Sequence, residues 1–381
     1  SLFKMKIVYC LAGTFNSGGM ERIVISKANW LADHYYDVTI ITTDQKGRNN
    51  FFKINDKIRC IDIGINYCDN NSSNIITKFS SRKAKIKQHK KRLIEVLNKE
   101  QPDITISTFG NEIKFLNSLN VGGKKIVEIH FSKLFRIQND KQGLYAIANR
   151  ILTFRDKIKI QKYDAFICLT EQDKNLWGNI PNIHVIPNFI EFQSPKRAKL
   201  TEKKAIAVGR LSYQKGYDRM IEAWNIVHNK FPDWELHIYG NGDLNHKIRD
   251  SIKEAALDKC CFIHDPINDI GNKMIESSML LLTSHYEGLP MALLEAMGCG
   301  LPVVSFDCKC GPSDIIENDI NGKLVPNDNI TLFAEAVIEL ICNNLKRDNI
   351  GKNAYLKSSN YLQDKIMNQW TELFNNLLKD S

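Results

Sequence analysis

The sequence predicts an α/β protein with two doubly wound domains, each a parallel sheet with helices on both faces. Short apolar strands alternate with helical segments through both halves of the chain, which is the pattern that builds parallel sheets. The 381 residues exceed a typical single domain and suit two domains of roughly 150 to 200 residues each. A stretch from Pro181 to Lys204, punctuated by proline and rich in lysine, separates the halves. We therefore place the domains at residues 1–187 and 188–360.

In the first half, we predict a strand at Ile7–Leu11 and a helix over Gly18–Asp33, whose apolar residues from Ile23 to Leu31 recur at helical spacing. A basic helix follows near residue 80. Further strands are predicted at Val38–Thr42, Ile58–Ile63, Ile104–Ser107, Ile126–Ile129 and Asp164–Leu169, the last of them before a short helix at Glu171.

The second half repeats the pattern, with a first strand at Ala205–Val208 and a helix from Tyr217 to His228. The later strands are predicted at Glu235–Tyr239, Cys260–His264, Met279–Leu282 and Val303–Phe306, and the later helices at Asn245–Ala256, Leu332–Cys342 and Tyr361–Leu378.

The segment from Ser284 to Pro302 packs a strand end, a turn and a helix start into a short stretch. Pro290 suits the first turn of a helix that stops at Gly298 or Gly300. Free amides of such a turn and helix start favour an anion such as a diphosphate. Glu287 and Glu295 supply carboxylates suited to grip sugar or ribose hydroxyls. The alternative is a capped amphipathic helix with solvated glutamates.

The pattern Glu287-Gly288-x-Pro290-x4-Glu295, followed by Ala-Met-Gly-Cys-Gly-Leu-Pro-Val-Val, closely resembles the Glu-x7-Glu signature of retaining glycosyltransferases of family 4. This resemblance implies the GT-B fold, in which two Rossmann-like domains face each other across a cleft. It implies that the last helix, within 361–381, returns to the first domain through Trp370 and Phe374. It also implies a catalytic role for Glu287 and donor contacts from Gly288, Leu289, Pro290 and Glu295.

The loop after the first strand, Gly13 to Arg22, lies where such folds hold phosphates. It matches neither a P-loop nor a Gly-x-Gly-x-x-Gly dinucleotide loop, and a tight turn alone would explain its glycines. In the family that the chain resembles, however, Gly-Gly-x-Glu-Arg occurs here, with its backbone against the donor diphosphate and the acceptor. The resemblance gives that role to Gly18 and Gly19.

Four more residues are candidates because each follows a predicted strand. His130 comes directly after the strand at Ile126–Ile129; a lone histidine is commonly structural, but the resemblance implies a hydrogen bond to the transferred sugar. Arg210 and Lys215 can neutralise phosphate, and their segment resembles the family's Gly-Arg-Leu motif, which implies contact with the leaving diphosphate. Pro266 lies where the family holds the base edge, although it lacks an amide donor.

The net charge of +9 suggests an anionic partner, and much of the excess lies between Lys78 and Arg92, a stretch without an acidic residue. This segment is either a solvated helix face or an interfacial helix attracted to anionic lipid at the inner face of the cytoplasmic membrane. Nucleic acid is disfavoured because no binding motif accompanies the charge.

Several site classes are also disfavoured. No apolar run approaches the ~20 residues needed to span a bilayer, and no signal peptide is evident. The ten cysteines are scattered, which favours reduced thiols in a cytoplasm over a disulfide framework. Cys308 and Cys310 are a weak metal candidate. Since Asp-x-Asp is absent, we expect neither a metal nor another cofactor.

The sequence and the resemblance together predict a retaining transferase. We expect transfer of a hexose or N-acetylhexosamine from a nucleotide-diphosphate sugar, with UDP favoured, to a lipid-linked or growing surface glycan. Two alternatives remain: a non-catalytic partner subunit that binds a nucleotide sugar or a membrane, and an epimerase or phosphorylase on the same fold.

Overall fold

The chain divides into two compact units. The computed structural model describes residues 5–69, 75–133, 144–191 and 193–379, and within these ranges it leaves the side chains of residues 75–79 and 144–146 undescribed. Unit 1 comprises the chain up to Leu169, then Lys174–Ile186 and the chain from Met367 onward. Unit 2 comprises Thr170–Asp173 and Pro187–Ile366.

Unit 1 is built on seven parallel strands with helices around them. Its strands are β1 Lys6–Leu11, β2 Asp37–Thr42, β3 Arg59–Asp62, β4 Ile104–Ser107, β5 Lys124–Glu128, β6 Ala165–Cys168 and β7 Ile183–Val185. Its helices are α1 Gly19–Asp33, α2 Ile75–Glu100 and α3 Leu144–Ile160; α4 Glu171–Trp177 begins in unit 2, and the last helix of the chain, Gln363–Lys379, ends in unit 1.

The strand order of unit 1 is β3-β2-β1-β4-β5-β6-β7, with β1 near the centre. Ile7 of β1 is aligned with Val38 on one side and with Ile104 on the other. Five of the six residues of β1 are buried, as expected of a parallel strand covered on both faces. All carboxyl ends therefore meet at one edge, where the loop to α1 and the segment after β5 also lie.

Unit 2 is a six-stranded parallel sheet with its own core. Its strands are β8 Lys204–Val208, β9 Glu235–Tyr239, β10 Cys261–His264, β11 Met279–Leu282, β12 Val303–Asp307 and β13 Lys323–Pro326. Its helices are α5 Tyr217–Lys230, α6 Asn245–Glu254, α7 Ile270–Ile275, α8 Met291–Gly298, α9 Pro312–Ile315, α10 Ile330–Cys342 and α11 Asn344–Ser358, and the last helix of the chain, α12 Gln363–Lys379, starts here.

The sheet order in unit 2 is β10-β9-β8-β11-β12-β13. Trp224 of α5 is 1 % exposed, and the rings of Phe306 and Phe333 lie 4.7 Å apart in the same core. Each unit thus buries its own apolar core, and the α/β architecture of parallel sheets with flanking helices is confirmed.

Some elements differ from the sequence prediction. The strand at Asp164–Leu169 is not the last of unit 1, because Ile183–Val185 adds a short edge strand inside the proposed linker. That linker is also partly packed, since Ala198 and Leu200 are both 4 % exposed. The sequence pattern did not reveal α3, α7, β13 or α11.

Pro290 is a further correction. It was expected in the first helical turn, but it caps α8 from outside, with an extended ψ of 94°. Its carbonyl still accepts a hydrogen bond from the amide of Leu293 at 3.1 Å.

The part of α12 that belongs to unit 1 packs through aromatic rings. Trp370 is 2 % exposed and Phe374 is fully buried, with ring centroids 5.9 Å apart. The ammonium of Lys27 lies 4.2 Å from the centre of the Trp370 ring, which is a favourable cation–π geometry.

We predict that Trp370→Ala destabilises unit 1 by about 3–5 kcal/mol, because it removes a large buried ring and leaves a cavity. Urea unfolding followed by circular dichroism would measure the loss. Glu372→Ala, on the exposed side of the same helix, is the matched control and should change stability by about 0.5 kcal/mol or less. Equal stability of the two variants would contradict the packing described here.

Candidate functional site

The clearest site in unit 2 is an ion pair between Lys215 and Glu287. Lys215 Nζ lies 2.7 Å from Glu287 Oε1, and the side chains are 19 % and 5 % exposed. Ser284 Oγ donates a second hydrogen bond to the same oxygen at 2.5 Å. Both contacts fall on Oε1, so the pair fixes the carboxylate and places the ammonium beside it at the carboxyl ends of β8 and β11.

Two loops are tied together around this pair. The amide of His285 donates to the carbonyl of Gln214 at 2.8 Å, and Gln214 Nε2 donates back to the carbonyl of Tyr286 at 3.2 Å. Thr283 Oγ1 donates to the carbonyl of Gly216 at 2.8 Å. These bonds run in both directions, so the positions of Lys215 and Glu287 are set by backbone and side chain together.

Gly216 is required by this arrangement. Its backbone is left-handed, with φ at +60°, and a Cβ would lie 2.2 Å from the carbonyl oxygen of Thr283. That carbonyl also accepts a hydrogen bond from the guanidinium of Arg219. No other residue fits both the conformation and the close approach.

The segment after Glu287 leads into α8. Leu289 and Pro290 are buried, while Gly288 and Glu295 are partly exposed. Gly311, with φ at +102°, packs against this turn, since a Cβ there would lie 2.6 Å from Pro290 Cδ. The turn is therefore packed against Gly311, and Glu295 follows it within α8.

Arg210 and Pro266 are not among the contacts of this pair. Arg210 is exposed, with its guanidinium 3.6 Å from Asp243 Oδ1, a surface pair of small energetic weight. Pro266 is exposed in the loop after β10. Gly240 nearby is explained by packing alone, because a Cβ there would lie 2.0 Å from the carbonyl of Gly209.

In unit 1, His130 belongs to a buried charged group. The His130 side chain is 5 % exposed, and its Nε2 lies 3.5 Å from Glu128 Oε1, which is too long for a good hydrogen bond. Glu128 forms an ion pair with Lys27, and both side chains are 2 % exposed. Within the described residues, neither ring nitrogen of His130 has a hydrogen-bond partner.

The charges of this group are coupled. Burial alone would raise the pKa of Glu128, but Lys27 and His130 hold it at about 2. Burial lowers the pKa of Lys27 from its usual value, against the opposing pull of Glu128. Because a neutral lysine would leave the buried carboxylate uncompensated, we describe the pair as ionic at neutral pH.

Sequence reasoning missed Lys27 and Glu128, although signals were present. Glu128 is two residues before His130, so the two side chains lie on the same face of the extended chain. Lys27 interrupts the buried face of α1, where Val24, Ala28 and Leu31 are apolar.

Gly18 and Gly19 lie at the start of α1. Gly18 is the N-cap and provides no side-chain cap, so the first amides of the helix have no partner from that side chain. A Cβ on Gly19 would meet nothing within 4 Å. Packing within the described chain therefore does not require glycine at 19, whereas a Cβ on Gly18 would lie 2.2 Å from Glu21 Oε2.

The described part of the chain shows neither a metal-binding cluster nor a membrane-spanning helix. No three His, Cys, Asp or Glu side chains there are grouped so that they could hold a metal ion. None of the helices there has the length and apolar character needed to cross a bilayer.

The sequence matches two family models in succession. Residues 17–194 match "Glycosyltransferase Family 4" and residues 189–357 match "Glycosyl transferases group 1". An uncharacterized glycosyltransferase of Haemophilus influenzae is 30 % identical over 376 residues, which cover 96 % of this chain and 98 % of the relative. The chain belongs to this glycosyltransferase family.

Other comparisons agree with the assignment. The amylovoran biosynthesis glycosyltransferase AmsD of Erwinia amylovora is 26 % identical to this glycosyltransferase, over 97 % of this chain and 99 % of the relative. A crystal structure of a Staphylococcus aureus TarM mutant with fondaparinux, alpha-GlcNAc-glycerol and UDP superposes with a TM-score of 0.77 at 19 % identity, over 97 % of this chain and 100 % of that chain. The expected GT-B fold is confirmed by this likeness.

We predict that the Lys27–Glu128 pair makes unit 1 sensitive to acid. The folded pKa of Glu128, about 2, lies below its ordinary value of 4.5, so ionised Glu128 stabilises the folded state above pH 4.5, and this stabilisation is lost as pH falls toward 2. Lys27→Met alone should cost about 3–5 kcal/mol, because it leaves a buried charge unpaired. The double variant Lys27→Met/Glu128→Gln should recover much of that loss.

Urea midpoints measured from about pH 5 to about pH 2 test this prediction. The double variant should show a shallower loss of stability with acid than the wild type. The exposed pair of Lys57 and Asp33 is the control, and Lys57→Met/Asp33→Asn should keep the wild-type slope. An unchanged slope in the Lys27–Glu128 double variant would show that the pair does not govern acid stability.

Proposed function

We propose that this glycosyltransferase is retaining and transfers a hexose or N-acetylhexosamine from a UDP-sugar to a lipid-linked or growing surface glycan. The observation that carries the proposal is the Lys215–Glu287 pair, locked between two cross-bonded loops at the carboxyl ends of β8 and β11. The relative AmsD is named for amylovoran biosynthesis, and the TarM mutant was crystallised in complex with UDP, which supports a surface glycan and a uridine nucleotide here. Proton NMR of the anomeric centre of the product would test retention.

Lys215 and Arg210 would neutralise the charge that develops on the leaving diphosphate. Glu287 holds the Lys215 ammonium at 2.7 Å, so the lysine needs little reorganisation when the donor binds, which is the condition for strong electrostatic stabilisation. The exposed Arg210 has only a weak surface partner and can turn to phosphate. In a retaining reaction of this type, a phosphate oxygen of the donor accepts the proton of the acceptor hydroxyl.

The remaining donor contacts are proposed on the same elements. The amides at Gly288, Leu289 and the start of α8 face a diphosphate, and Glu295 takes the ribose hydroxyls. Pro266 lies beside the base. With positive charge supplied by side chains and amides, the proposed transfer does not depend on a metal or another cofactor.

In unit 1, His130 and the glycine loop have the proposed role of contacting the sugar and the acceptor. His130 is almost fully buried, and its ring nitrogens lack hydrogen-bond partners in the described chain. A sugar hydroxyl would satisfy one of them, which removes the cost of an unpaired buried polar group. Gly19 leaves open space beside the first turn of α1, where a hydroxylated ligand would approach the helix amides, while the Glu21 carboxylate lies against Gly18.

We further propose that the enzyme works at the inner face of the cytoplasmic membrane, where the basic helix α2 attracts anionic lipid. Among the described side chains of the Lys78–Arg92 segment, four lysines are exposed: Lys83, Lys87, Lys90 and Lys91. Not every basic residue of the Lys78–Arg92 segment faces solvent, because Arg92 donates a hydrogen bond to the carbonyl of Ile63 at 2.6 Å. His89 is 1 % exposed, and burial lowers its pKa to about 4. The side chain of Lys78 lies outside the described residues.

We predict that Glu287→Gln and Lys215→Met each lower kcat by about 10²–10³, the loss expected when one preorganised electrostatic group is removed. Initial rates with a UDP-sugar and an acceptor glycan would measure the effect. The exposed pair of Lys203 and Asp233, also in unit 2, provides the control Lys203→Met, which should retain wild-type turnover. Full activity of either site variant, in a protein that unfolds at the wild-type temperature, would refute the assignment.

We predict that UDP raises the unfolding temperature of unit 2 and that GDP and ADP do not. A ligand at 100 times its dissociation constant adds about 2.7 kcal/mol to stability, and differential scanning fluorimetry detects such a shift. Glu295→Ala should weaken UDP-sugar binding through the lost ribose contacts. An unchanged dissociation constant would exclude that role for Glu295, and the absence of a shift with any nucleotide would favour a non-catalytic protein.

A further inference from the structure

Helix α3 exposes a stripe of large apolar side chains. Ile147, Ile151, Phe154 and Ile158 are 57, 54, 64 and 43 % exposed. They are spaced four, three and four residues apart, so they form one continuous line along the helix. A helix that packs only to stabilise a fold would turn this line inward.

The buried face of the same helix is more polar than the exposed face. Thr153 and Asp156 are 5 % and 6 % exposed, and Ile160 is fully buried. Thr153 Oγ1 donates to the carbonyl of Asn149 at 2.8 Å. The amphipathic pattern of α3 is therefore inverted with respect to unit 1, which indicates that the apolar stripe serves a contact other than the core.

Basic side chains flank the stripe. Arg150 and Arg155 are exposed, Lys157 and Lys159 are partly exposed, and the one acidic residue of the helix is the buried Asp156. A recess of about 460 Å³ opens beside the stripe, where Arg150 and Lys157 lie next to Phe154 and Ile158. A surface with basic side chains beside apolar ones suits an amphipathic ligand that has an anionic group and an apolar chain.

This basic surface continues from α3 to α2. Lys114 lies in a short helical turn, Asn111–Lys114, that falls between α2 and α3 in the chain. Its pKa is lowered by burial and then by the nearby charges of Arg82 and Lys159, while Asp156 opposes this shift. Arg82 reaches Asn111 Oδ1 at 3.4 Å. An anionic surface would relieve the repulsion among these cations, whereas a second copy of the chain in a symmetric contact would bring the same positive charges together.

We propose that α3 is an interfacial helix whose stripe of Ile147, Ile151, Phe154 and Ile158 enters the headgroup region of an anionic phospholipid bilayer. The inference deepens the proposed function, because it names the element that adds apolar insertion to the electrostatic attraction of α2. An amphipathic helix with cations beside its apolar face binds in this way, lying in the plane of the interface.

Flotation with vesicles of phosphatidylcholine, with and without phosphatidylglycerol, tests the proposal. Ile151→Ser/Phe154→Ser should weaken binding to the mixed vesicles by about tenfold for each side chain removed. Arg150→Gln/Arg155→Gln should weaken it by about fivefold for each charge and leave binding to pure phosphatidylcholine unchanged. A Phe154→Trp variant should show a blue-shifted emission when the mixed vesicles are added.

The control removes exposed apolar side chains elsewhere in the chain. Leu345 and Leu356 of α11 are 73 % and 60 % exposed, and Leu345→Ser/Leu356→Ser should bind vesicles as the wild type does. Wild-type binding by Ile151→Ser/Phe154→Ser would overturn the proposal. The proposal would also be overturned if the wild type were a dimer in sedimentation velocity and Ile151→Ser/Phe154→Ser were a monomer, because the stripe would then contact a second copy.

Different measurements test the membrane role of α3 and the proposed transferase function, so one can be refuted without the other. Ile151→Ser/Phe154→Ser should keep the UDP-induced thermal shift and UDP-sugar hydrolysis without vesicles, because neither residue belongs to the nucleotide site. Loss of vesicle binding with these activities retained supports the role of α3. A wild-type protein that binds vesicles but no nucleotide would instead refute the proposed function.

Discussion

The geometry of unit 2 depends on one close approach of two backbones, at Gly216 and Thr283. A Cβ on residue 216 would lie only 2.2 Å from the carbonyl oxygen of Thr283, which is too close for any side chain. The contact brings the loop after β8 against the end of β11, so Lys215 and Glu287, which are 72 residues apart in sequence, become neighbours. A side chain at 216 would separate the loops, and the ion pair would be lost together with the turn.

Both units contain a lysine and a glutamate held together with little exposure to solvent. Such a pair is weak evidence for stability, because the cost of removing two charges from water offsets much of their attraction. The pair of Lys27 and Glu128 is almost fully buried, and the imidazole of His130 lies beside it, with Nε2 3.5 Å from Glu128 Oε1. This buried charged group beside a histidine is the arrangement on which the proposed role of His130 rests.

The sequence predicts the regular part of the fold because each central strand carries its own signal. The strands at Ile104–Ser107, Glu235–Tyr239 and Met279–Leu282 have the expected bounds, since buried parallel strands are continuous apolar runs. The edge strands β7 and β13 are short and only partly buried, so they lack the continuous apolar run that marks a central strand. Helix α11 escaped prediction because its buried face includes Arg347 and Gly351. The apolar residues of α3 do recur at helical spacing, and that signal was overlooked.

The candidate site was predictable only where its residues form a local motif. Glu287 and Lys215 each belong to a short recognisable pattern, and the structure joins them. Lys27 and Glu128 come from a helix and a strand that are 101 residues apart, so the local signal at each residue does not reveal the other as its partner. Only the fold reveals that they share a buried space with His130.

The charge of the chain illustrates the same limit. A run of lysines and arginines in α2 predicts attraction to anions, but it cannot separate side chains that bind backbone carbonyls, such as Arg92, from those that face solvent. Electrostatic attraction alone is weakened by salt, and it does not insert any part of the protein into the bilayer. The exposed apolar stripe of α3 can add a hydrophobic contribution to binding, which salt does not screen in this way. A surface that combines both is selective for an interface that is anionic outside and apolar beneath, and this combination distinguishes a bilayer from a soluble polyanion.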